Sequence, residues 1–179
     1  YSFINNDNLT DIFKENFKIN QKVILGANTK DNNGNIYNSF VILNSKGKII
    51  DVYNKIHLVP FGEFIPFESV LKTIAPLFNL PMSSFSRGNF QQDNLIAQGL
   101  KFSPAICFEI AFASQVRANL YADSDVILTV SNDAWFGDSH GPWQHLQIAQ
   151  MRALEFAKPV LRVTNNGVTA VISSQGDVI

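Results

Sequence analysis

Cysteine is almost missing from this 179-residue chain, which carries one, Cys107. A lone thiol excludes an internal disulfide framework and leaves the redox compartment unread. Long apolar runs are missing too, and none approaches the roughly eighteen residues of a membrane-spanning helix. Excess charge of one sign is absent: the formal net charge is −1. No Lys/Arg run exceeds two residues, so nothing electrostatic calls for a nucleic-acid partner. His57, His140 and His145 lie scattered beside the single cysteine without ligand spacing, so neither a metal nor a cofactor is expected. Repeats, low-complexity tracts and linkers are lacking, which argues for one domain over residues 1–179. There is no initiator Met or signal peptide, and the last residue, apolar Ile179, directly follows a turn. Both ends are read as cut.

What the chain has is enough apolar content, 46%, to bury a real core. Asn8–Lys18 puts Leu9, Ile12, Phe13 and Phe17 on one face, which predicts a helix. Lys22–Asn28, Tyr37–Leu43 and Lys48–Tyr53 predict strands joined by turns at Asn33-Gly34 and Ser45-Lys46-Gly47, a meander at the edge of a sheet. Phe67–Phe78 is helical in spacing, and Leu80–Asn89 is loop. A strand from Leu100 reaches Cys107, and a helix covers Ile110–Leu120. Asp125–Asn132 predicts a buried strand. Gly141–Ala157 predicts a long helix, opened by Pro142 and closed before Pro159. Val160–Thr164 and Thr169–Ser173 flank the hairpin signal Asn166-Gly167. Hairpins first and alternation later predict a mixed sheet carrying helices, an α/β protein.

Three strand-end or loop stretches combine polar and aromatic residues: Lys55–Glu63, Cys107–Glu109 and Asn132–Gly137. Taken alone, Cys107 reads as a small buried hydrophobe. At a strand-to-turn junction it also suits a nucleophile, because neighbouring N–H groups can meet an oxyanion. A cation such as Lys55 would favour both the thiolate and the oxyanion, and Glu63 or Glu109 could hold that lysine. Each residue has a plainer alternative as a solvated strand end, a loop acid or an acid at a helix N-terminus.

Together these stretches resemble one family. Tyr53-Asn54-Lys55-Ile56-His57-Leu58-Val59-Pro60-Phe61-Gly62-Glu63-Phe64-Ile65-Pro66 is similar to the lysine segment of the nitrilase superfamily, and Ile106-Cys107-Phe108-Glu109 to its nucleophile segment. Three longer phrases resemble the bacterial apolipoprotein N-acyltransferases. They are Pro81–Gly88, Ser131–Gly137 with Gly141–His145, and Met151–Glu155 leading to Arg162–Ala170. The resemblance implies an α-β-β-α sandwich, with Cys107 as nucleophile, Lys55 as triad lysine, Glu63 as its supporting glutamate and Glu109 as a further acid. It makes the Phe108 N–H an oxyanion donor, although Phe108 stands where a tyrosine is expected. Phe64, Trp135 and Phe136 become substrate-binding candidates.

The implied reaction moves a phospholipid acyl chain, by way of a Cys107 thioester, to the α-amine of a lipoprotein's lipidated N-terminal cysteine. The implied location is the bacterial inner membrane, with the domain on the periplasmic side. Membrane contact would come from helices outside this sequence and from residues 64–82, an amphipathic stretch that equally suits an ordinary packed helix. The family's base glutamate belongs to a Trp-Pro-Glu phrase with no match here; Asp7, Asp11 and Glu15 lie in or beside a helical pattern without that context. The chain is therefore expected to be a truncated piece that does not turn over alone. A soluble amidase with the same triad and a non-catalytic remnant stay open as rivals. A papain-like Cys-His enzyme has no supporting signature.

Overall fold

The computed structural model describes residues 17–18, 20–66 and 85–179. Most of the Asn8–Lys18 helix and all of the Phe67–Phe78 helix predicted from spacing lie outside these residues.

The predicted meander exists, but as a sheet of its own. Strands β1 (Lys22–Lys30), β2 (Ile36–Asn44) and β3 (Ile49–Asn54) form an antiparallel three-stranded sheet in the order β1-β2-β3. A second sheet has five strands: β4 (Leu95–Ala97), β5 (Leu100–Ile106), β6 (Val126–Ser131), β7 (Val160–Thr164) and β8 (Ala170–Ile172). The inner strands β5, β6 and β7 run parallel, and β4 and β8 are antiparallel edges. β4 had no separate signal in the sequence, since three residues are too short to show a period. The helix predicted over Ile110–Leu120 is two pieces. A 3-10 turn, Cys107–Ala111, leads into the short helix α1, Ala113–Ala118. The long helix α2 spans Gly141–Phe156, with Pro142 in its first turn and left-handed Ala157 as its cap.

Alternation along the central strands decides the layers. On β2, Phe40 and Ile42 face the five-stranded sheet, while Val41 and Leu43 face the opposite side with Phe17, Val23 and Leu25. Leu95, Phe102, Ile106 and Leu128 answer from the second sheet, so the two sheets pack face to face. The other face of the second sheet gives Ala105, Ile127 and Val160 to Val116 of α1 and to Leu146, Ala149 and Ala153 of α2. The described layers are thus sheet, sheet and helix. Each fully buried large aliphatic or aromatic side chain there contributes about 1.5–3 kcal/mol.

The parallel order β5-β6-β7 places the ends of β5 and β6 side by side. Cys107 follows the first and Asn132-Asp133 the second, at the edge where open α/β sheets present ligand sites.

Candidate active site

Lys55 directly follows β3 and points inward, 1% exposed. Its Nζ lies 2.8 Å from both Glu63 carboxylate oxygens. Glu63 also accepts from the Asn38 side-chain amide at 2.7 Å and the Val59 N–H at 2.8 Å. The loop from Lys55 to Glu63 is therefore closed on itself by one carboxylate. Gly88 seals its far side: its N–H donates to the Lys55 carbonyl, and a Cβ there would collide with the Asn54 carbonyl. Arg87 beside it covers the Phe64 ring at 5.0 Å. The Ser86-Arg87-Gly88 phrase thus belongs to the lysine loop.

Cys107 has a φ of 55°, a left-handed conformation that costs a non-glycine residue about 1–3 kcal/mol. The turn lifts its side chain out of the β5 line at partial exposure. It also opens the 3-10 turn, whose first N–H groups, Phe108's among them, have no acceptor within the turn. Phe108's side chain is 48% exposed and meets Phe112 edge-on, with ring centroids 5.2 Å apart.

Glu109 ties these two loops together. It is fully buried, and its carboxylate accepts from the Ile56 N–H at 2.6 Å and the His57 N–H at 3.0 Å. The same group accepts from the Ile106 N–H at 2.7 Å and the Tyr53 hydroxyl at 3.1 Å. Residues flanking Lys55 and a residue flanking Cys107 therefore hang on one carboxylate. Burial and the Glu109 charge push Tyr53 far above its ordinary pKa, so it stays a phenol donor. Of the two glutamates proposed to hold Lys55, Glu63 contacts its ammonium; Glu109's four bonds go elsewhere.

Behind Cys107 lies a buried network whose side chains had no assigned role in the sequence. His145 Nε2 is 3.2 Å from the Cys107 carbonyl, and its Nδ1 is 3.1 Å from Asp133 Oδ1. Asp133 also accepts from the Ser131 hydroxyl at 2.5 Å and pairs with Arg162 Nη2 at 2.5 Å. Arg162 Nε donates to the Val168 carbonyl at 3.1 Å. Burial lowers the Arg162 pKa against the opposing pull of Asp133 and Cys107. Burial and the Arg162 charge likewise hold His145 below its ordinary pKa, against Asp133. The signal was present in the long phrases: Asp133, His145, Arg162 and Gly167 each sit in one. Glycine is needed at 167 because a Cβ would collide with the Asp133 carboxylate.

The substrate-binding candidates differ in their surroundings. Trp135 is 75% exposed, Phe136 packs edge-on against His145 at 5.9 Å, and Phe64 lies under Arg87. Asp7, Asp11 and Glu15 fall outside the described residues. Among the described residues no helix is long and apolar enough to cross a membrane.

Comparisons with known proteins bear on the family and the fold. The family model of the carbon-nitrogen hydrolases matches residues 9–179. The chain is 52% identical over 166 residues to an apolipoprotein N-acyltransferase of Photobacterium profundum, covering 89% of this chain and 32% of that protein. It is 60% identical over 127 residues to the apolipoprotein N-acyltransferase of Vibrio cholerae, covering 71% of this chain and 25% of that protein. The chain thus spans about a third or less of these relatives. In fold it resembles a carbon-nitrogen hydrolase from Helicobacter pylori, with a TM-score of 0.64 at 16% identity over 96% of this chain and 63% of that one. It also resembles a glutamine-dependent NAD+ synthetase from Acinetobacter baumannii, with a TM-score of 0.68 at 18% identity over 96% of this chain and 32% of that one.

Proposed function

The chain belongs to the carbon-nitrogen hydrolase family, and from that premise we propose that it carries the catalytic centre of an apolipoprotein N-acyltransferase. One observation carries the reading: Lys55, paired with Glu63, and Cys107, on its left-handed turn, are fastened to each other by Glu109.

In the first half-reaction the Cys107 thiolate attacks the carbonyl carbon of a phospholipid ester. The S–C bond forms, the ester C–O bond breaks, and the lysophospholipid alcohol leaves with the proton that the Cys107 thiol gave up. The Phe108 N–H and the Lys55 ammonium face the oxyanion of the tetrahedral intermediate. In the second half an amine nitrogen attacks the thioester, the C–S bond breaks and an amide forms, with the amine proton released. A thiolate suits both halves, because it attacks esters readily and leaves well. Glu63 holds Lys55 in place through both.

The acceptor is the α-amine of a lipoprotein's lipidated N-terminal cysteine, and the donor lies in the bilayer. Support for this choice is the identity to proteins of that name, together with the exposed apolar side chains of Phe61 on the Lys55–Glu63 loop and of Trp135 and Phe136 on the stretch after β6. This reading sets the domain on the periplasmic side of the inner membrane, with Phe64, Trp135 and Phe136 meeting the acyl chain.

The test supplies the complete natural protein in phospholipid vesicles with a diacylated cysteinyl peptide. Mass spectrometry should find an acyl group on Cys107 that hydroxylamine removes, followed by acyl amide on the peptide. Acyl transfer that persists in Cys107→Ser would overturn the reading. Ammonia release from small amides without acyl transfer would favour the soluble amidase instead.

A further inference from the structure

We propose that His145 is a positioning residue for the nucleophile, clamped between the Cys107 carbonyl and the Asp133–Arg162 pair so that the turn at Cys107 keeps one orientation. The inference rests on Cys107 being the nucleophile.

A non-glycine residue at positive φ persists only where its surroundings over-determine it. On its N-terminal side Cys107 is held by the Ile106 N–H bond to Glu109. Its own carbonyl is reached by His145, a residue of α2 that is only 3% exposed. A carbonyl oxygen only accepts, so this contact requires a proton on Nε2. The rest of the network fixes where that ring stands. Asp133, at the end of β6, lies against Nδ1, and Arg162 of β7 neutralises Asp133. The Phe136 ring closes the fourth side. Three chain segments distant in sequence therefore set the ring that meets one peptide oxygen.

A plain core ion pair would not need the histidine. Buried charge pairs contribute little net stability compared with apolar packing of the same volume. Asp133 and Arg162 act on Cys107 through the imidazole, and Arg162 is also coupled electrostatically to the cysteine. A group that fixes the peptide beside the sulfur governs how Sγ meets the ester carbon. Its loss should therefore fall mainly on kcat, with any change in KM confined to what Phe136, packed against the same ring, contributes to binding.

The experiment compares His145→Phe, His145→Asn and His145→Gln in the complete natural protein, each checked by circular dichroism and melting temperature. The Gln amide nitrogen reaches the Nε2 position, whereas the Asn nitrogen sits near Nδ1. Expected are a fall of about 10- to 100-fold in kcat for Phe and Asn, recovery of most of that loss in Gln, and slower alkylation of Cys107 by iodoacetamide in Phe and Asn. A variant that merely loosened the fold would expose the sulfur, speed alkylation, and show no Gln–Asn difference; that pattern overturns the proposal. Wild-type alkylation no faster than that of glutathione would overturn the nucleophile reading and this inference with it. Fast wild-type alkylation, equalled by His145→Phe, overturns this inference alone.

Discussion

Two loops meet at the site, and each is organised by a glutamate. On the loop after β3, Glu63 is partly open to solvent and takes a cation, with both oxygens on the Lys55 ammonium. On the turn after β5, Glu109 is fully closed off and, among the described residues, takes no cation, only three backbone N–H groups and a phenol. A buried carboxylate without a counter-ion is tolerated when several donors share its charge. The difference separates two jobs that residue type alone left merged. Glu63 decides where a charge stands, whereas Glu109 decides where two stretches of backbone stand. Substitutions should split accordingly, between rate and stability.

The largest effect is expected on the cation itself. Lys55→Ala should cut acyl transfer by about a thousand-fold or more, because the oxyanion loses its charged partner. Alkylation of Cys107 near neutral pH should slow as well. Glu63→Gln keeps one acceptor for Lys55 and should cost about a hundred-fold in rate. Single-turnover thioester formation, followed by mass spectrometry, measures both. Full activity in Lys55→Ala would erase the distinction between the loops.

Glu109→Gln should reverse the balance. An amide turns one acceptor into a donor facing donors, so about 2–4 kcal/mol of stability should go. Glu63→Gln should cost less, about 1.5 kcal/mol, since the amide oxygen still accepts from the buried Lys55 ammonium and solvent reaches the rest of the side chain. Urea midpoints at constant slope report this directly. Equal stability losses in the two variants would mean that Glu63 braces as much as Glu109 does.

The third region, behind the cysteine, adds a pH dependence. Facing His145 are Asp133 of the 3-10 turn after β6, Arg162 of β7, and Cys107. The imidazole is held below its ordinary pKa of 6.5, so the unfolded chain binds more protons there than the folded one. Stability is therefore complete above about pH 6.5 and falls as pH drops through the window between the ordinary and folded values. The slope from one such group is at most about 1.4 kcal/mol per pH unit. Chemical denaturation at pH 5.5 and 7.5 should show the loss, and His145→Gln should remove that share of it.

How much of this was legible in the sequence depended on what each signal was made of. Short apolar runs bounded by polar residues, with Asn-Gly or Lys-Gly turns, predicted seven of the eight strands among the described residues, because those are local physical patterns. Local patterns suggested one mixed sheet, and only the resemblance implied the two facing sheets that are present, because separation into layers depends on long-range packing that no local period encodes. Family resemblance marked Lys55, Glu63, Cys107 and Glu109. The Lys55–Glu63 contact was foreseeable from their shared loop, but the four-donor role of Glu109 was not. Its partners lie at residues 53, 56, 57 and 106 and come together only through the sheet pairing. Asp133, His145 and Arg162 sat inside matching phrases. Without coordinates, nothing tied an acid after one strand to a histidine on a helix and an arginine on the next strand.

The smallest effect is expected at Phe108, and it sharpens the contrast between side chain and backbone at the nucleophile. The resemblance expects tyrosine here, so a hydroxyl role would predict a sizeable gain on restoring it. The geometry predicts otherwise. The ring is half exposed and packs edge-on against Phe112, which itself stacks on His57 with ring centroids 4.0 Å apart. A hydroxyl on such a half-exposed ring adds a polar tip where water can already reach. In the proposed centre it is the Phe108 N–H, just after the left-handed residue Cys107, and not the ring, that meets the oxyanion. Exposed substitutions that leave the backbone unchanged shift energies by about 0.5 kcal/mol at most, or roughly twofold in rate. Phe108→Tyr should therefore change kcat for acyl transfer by no more than that factor, with an unchanged melting temperature. A tenfold rise in Phe108→Tyr would show that the ring position takes part in the chemistry. Glu109 would then be holding a side chain in register as well as a peptide.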